Sequence, residues 1–171
     1  MLQLSSTLYN VPIMSLRTGG PVGNAIAPII NPNNLKIEGW YAQDIYSKEQ
    51  LILPEREIRD IIPKGFVVND HDAMTHRSDL VRMEKILRIK FELITKNVVS
   101  ENGKKLGKVQ DFAYDSNSFY VQKLYVMPTL LKSIKGDQII IGRTQIINIT
   151  DKKIVVSDPT VPVSAPAGAF A

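Results

Sequence analysis

Apolar and polar residues alternate with a period of two along much of this chain, and turn residues break the alternation at short intervals. The clearest case runs from Gly103 to Val126. Gly103-Lys104-Lys105-Leu106-Gly107-Lys108-Val109-Gln110-Asp111-Phe112 reads as a strand, Asp115-Ser116-Asn117-Ser118 as a polar turn, and Tyr120 to Val126 as a returning strand. Similar segments precede it. Leu8 to Met14 reads as an edge strand because Pro12 removes a ladder donor. Val22 to Ile30 is a strand whose end Pro28 confines to an edge or a bulge. Leu35 to Tyr41, Lys48 to Leu53 and Phe66 to Val68 are further strands, and Pro54 to Pro63 reads as a single helical turn or a strand. Turns fall at Thr18–Pro21, Asn31–Asn34 and Ser100–Gly103. Strands also cover Ile89 to Val99, the vicinity of 137–141, Thr144 to Ile149 and Ile154 to Val156.

One segment has a different period. Leu80, Met83 and Leu87 share a helical face, with Ile86 beside them. Ser78 or Asp79 is a plausible N-cap, and Lys85 and Arg88 complement a helix C-terminus. The pattern predicts a connecting helix over 78–88.

The first half repeats in the second. Gly19, Val22 and Gly23 fall on Gly103, Leu106 and Gly107 at an offset of 84, and Asn31–Asn34 falls on Asp115–Ser118. Further on the offset becomes 88, placing Glu57–Ile61 over Gln145–Ile149 and Lys64–Asp70 over Lys152–Asp158. Two ordered blocks joined by one small loop change point to an internal duplication. Short strands at this spacing favour small barrels or sandwiches over βαβ units.

Gly103-Lys-Lys-Leu-Gly-Lys-Val-Gln-Asp-Phe, the turn, Tyr120-Val-Gln-Lys-Leu124 and the later β-branched runs resemble the PRC-barrel domain, in tandem copies. That family includes the cytoplasmic part of the photosynthetic reaction-centre H subunit and the C-terminal domain of the ribosome maturation factor. The likeness covers about 90–158, and through the repeat about 8–70, where Ala27 stands in place of Asp111. It implies small closed β-barrels in which Gly107 permits a tight bend, no catalytic residues, and roles in protein docking and assembly.

Composition adds limits. The 171 residues contain no cysteine, which excludes disulfides, thiolate chemistry and zinc–sulfur sites. No apolar run approaches the roughly 20 residues of a membrane helix, and the first ten residues lack the pattern of a signal peptide, so a soluble, cytoplasmic protein is expected. Residues 1–85 hold 9 basic against 10 acidic side chains, and residues 86–171 hold 12 against 7. The basic half would suit an acidic partner or nucleic acid, although scattered lysines also serve solubility.

Candidate chemistry is sparse. Asp70, His71, Asp72, His76 and Asp79 form the one ligand-like cluster, but histidines five residues apart suit a shared helical face poorly, and the cluster reads as a solvated linker. Gly19–Gly23 lacks the lysine and helix of a phosphate loop and reads as a hairpin turn. Lys104, Lys105 and Lys108 lie near Tyr114, Phe119, Tyr120 and Tyr125, a grouping able to neutralise and stack single-stranded RNA if the rings are exposed. The expectation is a mainly β, non-enzymatic protein: a PRC-like barrel over 1–72, a linker with helix over 73–88, a second barrel over 89–158 and a flexible tail over 159–171. No cofactor or metal is expected. A protein is the expected partner, with RNA or the ribosome as the alternative, and the oligomeric state is open. Lys104, Lys105, Lys108 and Asp111 are the candidate partner-binding residues, because the first copy lacks them.

Overall fold

The computed structural model describes residues 1–128 and 138–158; the tail expected at 159–171 lies outside the described residues. The chain is mainly β. Strands β1 (Leu2–Leu4), β2 (Val11–Ser15), β3 (Pro21–Ile30), β4 (Ile37–Asp44), β5 (Gln50–Pro54), β6 (Ile58–Ile62) and β7 (Gly65–Val68) precede the one α-helix among the described residues, α1 (Glu84–Ile89). Strands β8 (Asn97–Ser100), β9 (Lys105–Asp115), β10 (Val121–Met127), β11 (Ile139–Gly142), β12 (Ile146–Ile149) and β13 (Lys153–Val156) follow.

They form two sheets. One has the order β5-β4-β3-β2-β7-β6 and the other β11-β10-β9-β8-β13-β12, with β1 added to β9. The orders correspond strand for strand, including one parallel pair in each, β2–β7 and β8–β13. Positions 84 residues apart hold equal places. Leu35 and Phe119 both have positive φ, and the same register shifts leave Ile26 and Gln110 as extra residues, then Glu38 and Gln122.

The expected closed barrels are not seen. Among the described residues both sheets are open, one at β5 and β6 and the other at β11 and β12. A single turn of 3-10 helix carries the chain round each corner, Glu55–Glu57 in one and Arg143–Gln145 in the other. The N–H groups of Ile58 and Ile146 bond back to Glu55 and Arg143, so at the corner the backbone satisfies itself locally instead of laddering across.

Other departures have local causes. β2 is not an edge strand, since it lies between β3 and β7. Pro12 is tolerated because β7 pairs only with Ile13–Ser15, beyond it. Pro28 sits where only β4 pairs with β3, as its missing donor requires. Of the strand read over Ile89 to Val99 only Asn97 onward is a strand; Lys90 and Thr95 have positive φ, and Leu93 turns into the core. The linker helix begins at Glu84, later than its polar residues predict. Leu80, at φ −103° and ψ 61°, interrupts it, and no side chain caps it. Leu80, Met83 and Leu87 are nevertheless buried together, against Ile29 and Ile52 of the first sheet.

The halves share one core. Trp40 packs 4.6 Å from Phe66 and 5.5 Å from Phe119 (centroid distances), and Phe119 stacks at 6.2 Å on Tyr114. The backbone joins them reciprocally. Ile37 N–H donates to Phe119 O (2.8 Å) and Val121 N–H donates to Leu35 O (3.0 Å), two bonds between positions that correspond at offset 84. This is the pattern of an isologous contact, made within one chain. β1 adds a second tie, pairing Leu2, Gln3 and Leu4 with Asp115, Tyr114 and Ala113.

The turn that leads into the linker is pinned by a buried charge. Asp44, at the end of β4, accepts from the N–H groups of Tyr46 (2.6 Å) and Ser47 (3.0 Å) and pairs with His71 Nε2. The histidine bond and the two N–H donors hold the Asp44 carboxyl below its usual range, and the Asp44 bond raises His71. A raised histidine stabilises most below its free value and loses that contribution as pH climbs through its folded value. A lowered carboxyl contributes above its free value and fails as pH falls through its folded one. His71→Gln is therefore expected to cost about 1 kcal/mol near pH 5–6, the low end for a charge-assisted bond because the ring is 39% exposed. The deficit should shrink toward alkaline pH, as urea midpoints of both proteins across pH will show.

Candidate functional site

β9, β10 and β11 turn one face inward and one outward, as alternation in a half-buried sheet requires. Val109, Phe112, Leu124, Val126 and Ile141 are buried in the core. On the outer face Lys108 lies opposite Met127, Asp111 opposite Tyr125, Tyr125 opposite Ile140, and Lys123 opposite Gly142. Lys108, Lys123, Met127 and Ile140 are exposed, while Asp111 and Tyr125 are half-buried. The result is an apolar strip flanked by two lysines.

Three of the four residues singled out by sequence belong to β9, and Lys104 precedes it in the turn. Lys104, Lys105 and Lys108 are exposed and form no ion pair with any described residue. Asp111 differs. It accepts from Ser5 Oγ (2.5 Å) and from the Phe112 N–H (2.7 Å), which ties the segment after β1 to the second sheet. Burial, and then the negative charges of Asp111 and Glu92, raise the Tyr9 phenol above its ordinary value.

The aromatics divide. Tyr114 and Phe119 are core residues, 1% and 5% exposed, so neither offers a ring to a base. Tyr120 lies under the Arg143 guanidinium at 4.7 Å, and Tyr125 alone joins the outer face. The histidine cluster is largely divided among other partners: Asp70 with Arg17 (2.5 Å), His76 with Glu49 (3.5 Å), and His71 with Asp44, its other ring nitrogen 3.8 Å from Asp72.

The outer face of the first sheet is built alike, with Tyr41 opposite Ile52, but its fate is different. Ile52 is 4% exposed because Leu80, Met83 and Leu87 lie over it. Its edge is also occupied: Ile52 N–H donates to Thr75 O (2.8 Å) and Thr75 N–H to Ile52 O (2.9 Å). Ile140, at the corresponding register, is 54% exposed. Sequence reading passed over Ile140 and Lys123. The signal was present in the 88-residue offset that places Ile140 on Ile52, and in alternation within Ile139–Ile141, which turns the middle isoleucine outward.

A concavity of about 600 Å³ lies beside the linker, with Tyr9, Pro28, Tyr41, Arg77, Phe91 and Glu92 in its lining. It mixes both charge signs with ordinary apolar surface, and no buried polar group converges on it.

Residues 91–161 match the PRC-barrel domain. The PRC-barrel match takes in the whole of β8 to β13 and so the entire outer face just described. The first sheet lies outside it. No curated protein matches the chain. No helix among the described residues is long and apolar enough to cross a membrane.

Proposed function

We propose that the protein is a non-enzymatic docking module of PRC-barrel type, built from two copies of one unit, that holds a protein partner on the outer face of its second sheet. The observation that carries this is the contrast between Ile52 and Ile140. One position has two fates: the linker covers Ile52 in the first half, and Ile140 stays 54% exposed in the second. An exposed apolar strip beside cations that pair with no described residue has the make-up of an interaction surface. Shared strand order, matching register shifts and matching positive-φ residues support the two-copy reading.

The test is capture from the cells that make the protein, comparing the native chain with Lys108→Glu/Tyr125→Ala. A stoichiometric protein partner held by the native chain and reduced about tenfold or more by the double change is expected. Equal recovery by both would sink the proposal. The exposed Lys104, Lys105 and Lys108 also favour a second reading, an RNA or ribosomal particle bound through phosphates. Co-sedimentation that falls steeply with salt would select it.

A further inference from the structure

We infer that the outer edge of β11 takes an extended strand of the partner protein, carrying a β-branched residue opposite Ile140 and a carboxylate two residues away opposite Gly142. This rests on the docking reading above and gives it a mode and a chemistry.

The first sheet shows what this edge is built to hold. Tyr41 faces Ile52 across β4–β5 as Tyr125 faces Ile140 across β10–β11. Ile52 turns its N–H and C=O away from β4 and spends both on Thr75, an extended residue of the linker, in an antiparallel bridge. By the same register, Ile140 turns its N–H and C=O to the open side. No described residue pairs with them, and β11 is the last strand on this side among the described residues. An apolar edge with free backbone groups is a template for another strand, and strand addition is a general mode of peptide recognition.

Charge selects the occupant. Lys123 stands opposite Gly142, which has no side chain to block the lysine stem; the Gly142 N–H is taken by Gln145 Oε1 (2.7 Å), so backbone pairing with an incoming strand falls to Ile140. Strands are about 5 Å apart, so an incoming strand is two spacings from Lys123, within reach of a lysine and a glutamate or aspartate meeting over the glycine. Asp111, an acid on this face, accepts from Ser5 and the Phe112 N–H and stands opposite Tyr125, not opposite either lysine. A second copy of the chain would bring Lys123 and Lys108 against its own kind, which disfavours self-pairing at this edge. The period of two then sets the motif: the residue over Ile140 and the residue over Gly142 lie on one face of the incoming strand.

The test is selection of displayed random dodecapeptides on the full chain. Enriched sequences should place Val, Ile or Thr two residues from Asp or Glu. Binding of the best peptide should fall about tenfold with Lys123→Glu and about tenfold with Ile140→Pro, which removes an outward donor and leaves the ladder to β10 in place. Should Ile140→Pro lose its fold, hydrogen exchange of the Ile140 amide in the native chain decides: slowing on peptide addition supports the inference. It is overturned by an absence of enrichment, by basic peptides or apolar residues at helical spacing, or by an amide that does not slow. An Ile140 amide already protected without peptide would also overturn it, assigning the edge to the chain itself at all concentrations or to a second copy if protection grows with concentration. A partner lost with Lys108→Glu/Tyr125→Ala but retained by a folded Ile140→Pro would remove strand addition and leave the docking reading standing.

Discussion

Trp40→Ala is expected to lower the unfolding free energy by about 4 kcal/mol and to loosen both sheets together. Trp40 is fully buried, packed on Phe66 of its own sheet and edge-on to Phe119 of the other. Its indole N–H donates to Leu8 O (3.1 Å), so truncation also strands a buried carbonyl. Trp40→Phe should separate the terms: it keeps most of the ring contact but not the donor, and should cost about 2 kcal/mol. Because buried residues of the two sheets form one continuous cluster, the halves should not melt separately. The chain has one tryptophan, so its fluorescence reports this junction. In the native protein, urea transitions by fluorescence and by circular dichroism should coincide. Two separated transitions would show that the sheets are independent and the junction is weak.

How far residues spoke for themselves depended on whether local geometry decided the outcome. The central hairpin was legible because its alternation, its Asp115–Ser118 turn and its glycines all work within a few residues. Leu80, Met83 and Leu87 were legible as one face because helical spacing brings them together whatever they meet. Open sheets were not legible. The 3-10 turns at Glu55–Glu57 and Arg143–Gln145 look in sequence like continuing strand, and the difference lies in one backbone bond at each corner. β1 has three residues, too few to show a period, and is held by partners more than a hundred positions away. The Asp44–His71 pair spans 27 residues and has no spacing signature. At the candidate site the β9 lysines were legible because the second half has them and the first lacks them. Ile140 needed a different question: which of two like residues is covered. That is decided by the linker, a tertiary fact.

Gly107→Ala should be among the most costly glycine substitutions, at about 3 kcal/mol. Gly107 has φ +150°, a backbone conformation that side-chain-bearing residues rarely adopt, and a Cβ placed there would lie 2.0 Å from the Met127 carbonyl oxygen. That oxygen belongs to the backbone at the end of β10, so relief requires moving β10 away from β9. The strand pair carries Lys108 beside Met127 and frames the outer face, so the damage should extend to partner capture as well as to stability. Gly103→Ala is the control. Gly103 also has positive φ (+79°), but its Cβ would meet nothing within 4 Å, leaving only the cost of a left-handed residue, about 1 kcal/mol. At roughly 2–4 °C per kcal/mol for a chain of this size, melting should fall by about 6–12 °C for the first and 2–4 °C for the second. Equal shifts would mean that strain in the turn, and not the close approach of β9 and β10, is what the glycines relieve. A larger loss at Gly107 would place its role in the contact between the strands that present the docking face.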